Sequence, residues 1–256
     1  MLKYQKIVIL FLALLVAALL ANHYFHTGII PPVCILAALV GFLVYGAMNV
    51  CSNYFCKVYC SADTDQKIIA LTFDDGPDKS FTREILNILR NHNIRAAFFC
   101  IGFKAEKNPE LVKAIDAEGH IIGSHSYSHH FFFDLFGLRR MIRDMSKCEV
   151  ILNDILKKKI VMFRPPYGVT NPPLARAIRN FGYQVIGWSL KSKDTVLQEE
   201  SILKRLKERV KPGDIILFHD TKSHTAAVLE KFILFALEND FSFECTDRLL
   251  KIKPYE

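Results

Sequence analysis

Residues 68–77 read Ile-Ile-Ala-Leu-Thr-Phe-Asp-Asp-Gly-Pro, a short apolar run that ends abruptly in two carboxylates and a turn signal. The run suits a strand, and Asp followed by Gly-Pro suits a tight turn. The same grammar returns downstream: 96–101, 121–124, 161–164, 184–189, 215–219 and 241–245 are further strand candidates. Amphipathic stretches lie between them. Ser80 is placed to cap a helix over 81–91, with Ile85, Leu86 and Leu89 on one face. Asn108-Pro109 opens a helix that Gly119 closes, and helical patterns follow over 135–158, 172–181, 199–210 and 225–238.

Seven strands alternating with helices imply a parallel sheet, because each parallel connection needs a crossover. An open doubly wound sheet and a closed barrel share that pattern. An open sheet gathers its site at one switch point, whereas a barrel spreads it over the C-terminal ends of several strands. Here polar motifs follow the first, third, fourth, fifth and sixth strands, which favours an α/β chain forming a (β/α) barrel of about seven parallel strands. The barrel domain is placed at 65–252 and a separate membrane segment at 1–60.

That segment is compositionally distinct. Residues 7–56 contain no Asp, Glu, Lys or Arg. Residues 7–21 are unbroken apolar, and 29–50 are interrupted only by Pro31, Pro32, two glycines and Asn49. A spanning helix needs roughly 20 apolar residues, which the second run meets and the first reaches by including 22–25. Two spans, one span with an interfacial segment, and a cleaved signal peptide are the alternatives. A cleaved signal lacks an A-x-A site near Ala21. Lys3 and Lys6 argue for a cytoplasmic N-terminus, so two spans would return the domain to the cytoplasmic side and one span would place it outside.

The seven cysteines are odd in number, with no C-x-x-C, and imply neither a disulfide framework nor a zinc ribbon. The net charge of +7 is a mild excess with no basic block, compatible with an anionic polymer or lipid surface. It gives no nucleic-acid footprint, and no protein partner is expected.

Four motifs carry potential chemistry: Thr72-Phe73-Asp74-Asp75-Gly76-Pro77, Gly123-Ser124-His125-Ser126-Tyr127-Ser128-His129-His130, Arg164-Pro165-Pro166-Tyr167-Gly168, and Leu217-Phe218-His219-Asp220. Adjacent aspartates at a strand end point in opposite directions, so Asp74 and Asp75 need not share a role. His125 and His129 are four apart, a spacing that on a helical turn puts both imidazoles on one face. With Asp75 they make a His-His-Asp set that leaves positions open, as a catalytic metal site requires. Singly, each motif also has a plain structural reading as a turn, a surface histidine pair, a salt bridge or a core histidine.

Taken in order, these motifs resemble those of the NodB-homology polysaccharide deacetylases, carbohydrate esterase family 4. The resemblance covers about 67–250. It implies a distorted (β/α) barrel and a divalent metal, usually zinc, sometimes cobalt or nickel. By position it implies Asp75, His125 and His129 as metal ligands. Asp74 would be the general base, Arg164 its orienting partner, the Tyr167 amide an oxyanion donor and His219 the general acid.

One segment departs from the family pattern. Lys191-Ser192-Lys193-Asp194-Thr195 stands where the family has D-x-x-D-W; Asp194 keeps the second Asp, expected to partner Arg164, while Lys191 and Thr195 replace the first Asp and the Trp. The expected activity is removal of N-acetyl groups from amino-sugar units of a polysaccharide or cell-envelope glycan, by a protein in contact with membrane lipids. Deacylation or deformylation of a lipid-linked sugar is the alternative, and a non-catalytic carbohydrate-binding membrane protein is a third reading.

Overall fold

A computed structural model describes residues 3–256. The helices are α1 (Lys3–Phe25), α2 (Ile30–Met48), α3 (Thr82–Asn91), α4 (Gly102–Lys107), α5 (Pro109–Ala117), α6 (Leu138–Leu156), α7 (Pro172–Phe181), α8 (Glu199–Arg209), α9 (Ser223–Glu238) and α10 (Thr246–Leu250). The strands are β1 (Val58–Tyr59), β2 (Ile68–Asp74), β3 (Ala97–Cys100), β4 (Ile121–Ser124), β5 (Met162–Phe163), β6 (Gln184–Ile186), β7 (Leu190–Lys191), β8 (Ile215–His219) and β9 (Ser242–Phe243).

Their order is β1-β6-β5-β4-β3-β2-β8-β7, every neighbour parallel, with β9 pairing the start of β2. The outermost strands β1 and β7 do not pair. The chain between β6 and β7 spans the gap instead: Gly187 N donates to Tyr59 O at 2.8 Å and Ser189 N to Ile215 O at 3.1 Å. The result is an incompletely closed (β/α) barrel: the motif distribution implies the barrel, and the family resemblance its distortion. The two-residue strands β1 and β7 are too short to leave a periodic signal in the sequence.

Register explains why alternate residues have different fates. Phe73 lies opposite Phe98 and Phe218 on the flanking strands, and its ring stacks on both, at 4.9 and 5.9 Å between centroids. That row faces the helices, where α3 buries Ile85, Leu86 and Leu89. The other face of β2 carries Ala70, which packs with Phe99, Met162, Ile186 and Ile215 inside the barrel. Two and four residues on, the same face presents Thr72 and Asp74, so the hydrophobic interior gives way to polar groups at the C-terminal end.

Two local expectations shift. Asp78, not Ser80, organises the start of α3: its Oδ1 accepts from the N–H groups of Ser80 and Phe81 at 2.9 and 3.2 Å. The helix expected from residue 135 begins at Leu138, after a short 3-10 turn at Phe133–Leu135.

Helices α1 and α2, of 23 and 19 residues, are long and apolar enough to cross a membrane and bury almost nothing within the chain. Residues 26–29 reverse the chain, so both free ends meet the barrel domain. There Tyr4 packs against Phe55 at 5.2 Å, Gly46 faces the Tyr54 ring, and Thr170 N donates to Ala47 O at 3.0 Å. The absence of any disulfide, as read from the odd cysteine count, is corrected: Cys51 and Cys60 are bonded, with Cα atoms 5.8 Å apart. They are nine residues apart in sequence, and only the return of the chain into β1 brings them together.

Candidate metal and catalytic site

Every residue singled out from the sequence stands at the C-terminal end of the barrel. Asp74 is the last residue of β2 and Asp75 follows it in the left-handed region, with φ of 73°. His125 directly follows β4. The expected helical turn joining His125 to His129 does not exist. The segment is a loop in which Ser126 and His129 adopt positive φ, and this folding brings the two rings to 4.8 Å. The loop is held from below by Asp144 of α6, which accepts from Tyr127 N at 2.8 Å and Ser128 N at 3.2 Å. Ser126 Oγ accepts from His129 N at 3.0 Å.

Asp75, His125 and His129 offer donor atoms that all lie within 4.8 Å of one another. Asp75 Oδ1 is 3.5 Å from His125 Nε2 and 3.3 Å from His129 Nε2. His125 Nδ1 is 2.8 Å from the Arg164 carbonyl, which can only accept, so Nδ1 carries the hydrogen and Nε2 turns its lone pair towards Asp75. Burial, reinforced by neighbouring His125, pulls His129 down to about 4 and keeps it a neutral donor. One carboxylate and two imidazoles of this disposition fit a divalent metal.

Two dyads flank this set. Arg164 is fully buried; its guanidinium donates to Asp74 Oδ1 and Thr72 Oγ1, both at 2.8 Å, and to the carbonyls of Ile186 and Gly187. Asp194 was expected to partner Arg164 and does not. Its Oδ1 is 2.7 Å from His219 Nδ1, and its Oδ2 accepts from His219 N at 2.7 Å and from Thr225 Oγ1 at 3.0 Å. The reason is topological: Arg164 reaches up the barrel interior beneath Asp74, whereas Asp194 follows β7, the neighbour of β8, which ends in His219. Burial opposes charge on His219, but the hydrogen bond and charge of Asp194 outweigh it and lift its pKa above the ordinary histidine value.

Between the dyads lies a cleft of about 260 Å³ whose walls include Asp74, Asp75, His129, Tyr167, Trp188 and His219. Tyr167 has φ of 59° and its ring meets that of His129 at 4.8 Å. Gly168 is obligatory beside it, since a Cβ there would come within 2.5 Å of the Trp188 ring. Trp188 supplies the aromatic wall that Thr195 lacks, and Lys191 Nζ lies 5.6 Å from its ring.

Sequence reasoning gave no role to Asp144, Lys104 or Asp220. Lys104 Nζ donates to Asp75 O at 2.7 Å. Asp220 is buried, accepts from Thr82 Oγ1 at 2.6 Å and packs against Gly76; burial pushes its carboxyl up to about 7. Asp220 closes the Leu217-Phe218-His219-Asp220 motif, and an acid directly after an apolar strand is its signal in the sequence. Asp144 sits at the edge of the buried stripe of α6, where an acid needs a local reason.

Residues 61–186 match the family described as polysaccharide deacetylase. A Bacillus cereus peptidoglycan-N-acetylglucosamine deacetylase is 34% identical over 204 residues, covering 74% of this chain and 91% of that protein. The chain belongs to the polysaccharide deacetylase family. As a member it is a hydrolase of carbon–nitrogen bonds. The crystal structure of the Bc1960 peptidoglycan N-acetylglucosamine deacetylase superposes on this deacetylase with a TM-score of 0.72, at 31% identity, covering 78% of this chain and 95% of the other. A family 4 carbohydrate esterase from Streptomyces lividans, solved with acetate, gives 0.64 at 29% identity, covering 69% and 91%.

Proposed function

We propose that this deacetylase removes N-acetyl groups from N-acetylglucosamine units of a cell-envelope glycan, with a divalent metal, zinc in first place, held by Asp75, His125 and His129. One observation carries the reading. Asp75 and His129 of the Asp-His-His set line the same cleft as a carboxylate positioned by a buried arginine and a histidine held by a buried aspartate.

When bound, such a metal polarises the amide carbonyl and lowers the pKa of a water. Asp74, aimed by Arg164, takes the proton of the attacking water. The N–H of Tyr167, a residue that lines the cleft, donates to the developing oxyanion. His219, whose pKa Asp194 raises, delivers its Nε2 proton to the leaving amine, which departs poorly without one. Trp188 offers a flat apolar face suited to a sugar ring, and Lys191 adds a positive charge where the family carries an acid.

We further infer that α1 and α2 form a membrane-spanning hairpin with the barrel on the oxidising side. The Cys51–Cys60 bond supports that side, because disulfides persist outside the reducing cytosol. This outweighs the lean of Lys3 and Lys6 towards a cytoplasmic domain. Mass spectrometry of N-acetylglucosamine oligomers and peptidoglycan fragments, incubated with metal-loaded protein, tests the activity. The reading expects loss of acetyl groups with release of acetate; unchanged glycans across zinc, cobalt and nickel would end it.

A further inference from the structure

Residues 131–136 read Phe-Phe-Phe-Asp-Leu-Phe and follow directly on the His125–His129 loop. Phe133 and Phe136 are buried in a cluster with Tyr54 and Phe55, at whose edge pack Ile7, Leu43 and Ala47 of the hairpin. Phe131, Phe132 and Leu135 point the other way and are 73%, 53% and 74% exposed. Isolated exposed apolar residues need no explanation, but three in five positions form a patch. This one adjoins the place where α1 and α2 meet the barrel domain.

The patch is tied to both the hairpin and the cleft. Asn171 Nδ2 donates to Asp134 O at 2.5 Å, while its neighbour Thr170 is bonded to Ala47 at the end of α2. The Phe131 ring lies 6.3 Å from that of Tyr167, which in turn meets His129. Charge follows immediately. Arg139, Arg140 and Arg143 are exposed on the first turns of α6, Arg140 stacking over Phe136 at 3.7 Å, against Asp134 as the single acid between 130 and 143. Aromatic and aliphatic side chains flanked by arginines are the composition that settles at an anionic bilayer interface.

The geometry points to a membrane seat. Phe131, Phe132 and Leu135 enter the boundary between headgroups and acyl chains, Arg139 and Arg140 meet anionic headgroup phosphates, and the mouth of the cleft is held against the bilayer that the hairpin crosses. The glycan best placed to reach Asp74 and His219 is then one attached to that membrane. This rests on the hairpin reading above, and the preference for attached glycan rests also on the deacetylase reading.

Phe132→Trp, Leu135→Trp and Leu237→Trp are placed separately in the full chain, with Trp188 as the only native background. Each is reconstituted in phosphatidylcholine–phosphatidylglycerol vesicles with or without lipids brominated near the headgroup end of the chains. Leu237 is the control, half-exposed near the end of α9 at the opposite pole of the barrel. With protein floating with the vesicles, the added emission at 132 and 135 is expected to be roughly halved by bromolipid and that at 237 unchanged. Co-flotation without quenching at 132 and 135 overturns the seat while leaving the hairpin standing. So does blue-shifted emission that no bromolipid quenches, the mark of a second copy covering the patch. Failure to float overturns hairpin and seat together. None of these outcomes depends on catalysis.

Discussion

His219 Nδ1 lies 2.7 Å from Asp194 Oδ1, and the other oxygen of the same carboxylate binds the main-chain N–H of His219. One buried acid therefore fixes both the ring and the backbone of the residue assigned to proton delivery. The arrangement leaves Nε2 as the face turned to substrate and favours the charged ring.

Asp194→Asn removes the charge while keeping an acceptor. A general acid works only below its pKa, so a raised pKa extends activity to higher pH and a lowered one withdraws it. The variant is expected to lose about a hundredfold in kcat, with the alkaline limb of its pH–rate profile moved to lower pH. A loss of rate with the limb unmoved would assign Asp194 to structure alone.

Arg164 is buried with Asp74 inside the barrel, and removing one member of a buried pair strands the other. Arg164→Met should cost roughly 3–5 kcal/mol of stability as well as activity. Asp74→Asn in the same chain should restore part of the stability and none of the activity. Denaturant midpoints of the three variants measure this.

His120 gives a pH signature away from the cleft. Its Nδ1 accepts from Ala96 N at 3.1 Å, its Nε2 is buried with no hydrogen-bond partner among the described residues, and burial, aided by Arg95 and Arg90 against Glu118, pulls it to about 4. The unfolded chain takes a proton near 6.5, so stability is complete above that value and lost as pH falls towards 4, by up to about 3 kcal/mol. His120→Asn, which retains an acceptor near Nδ1, should show a smaller fall in melting temperature between pH 7 and pH 4.5.

The Cys51–Cys60 bond predicts that denatured, unreduced protein alkylates at five cysteines and reduced protein at all seven. Closing a loop this short is worth about 2–3 kcal/mol in the chain-entropy account. The joint between hairpin and barrel should therefore melt earlier after reduction, visible as faster amide exchange at 50–60.

What was readable from the sequence follows from range. β2, β4 and β8 announce themselves because their apolar runs and terminal motifs are local, and Asp75, His125 and His129 because their residue types are unusual together. What failed was non-local. Asp194 pairs with His219 rather than Arg164 because β7 lies beside β8, and strand order is not written in any window of sequence. The histidine loop mimics helical spacing through positive φ at Ser126 and His129, which residue type does not signal. The disulfide needed the return of the chain into β1, a strand of two residues.

Asp75, His125 and His129 are proposed to hold a metal the reaction requires. Detergent-purified full chain, stripped and reloaded with zinc, measures it directly beside Asp75→Ala, with bound metal and acetate release from N-acetylglucosamine oligomers read on the same samples. Wild type should retain one ion per chain and turn over, while the variant should lose the ion and about three decades of rate, equivalent to several kcal/mol of transition-state stabilisation. Equal metal content and equal acetate release in the two proteins would contradict the account.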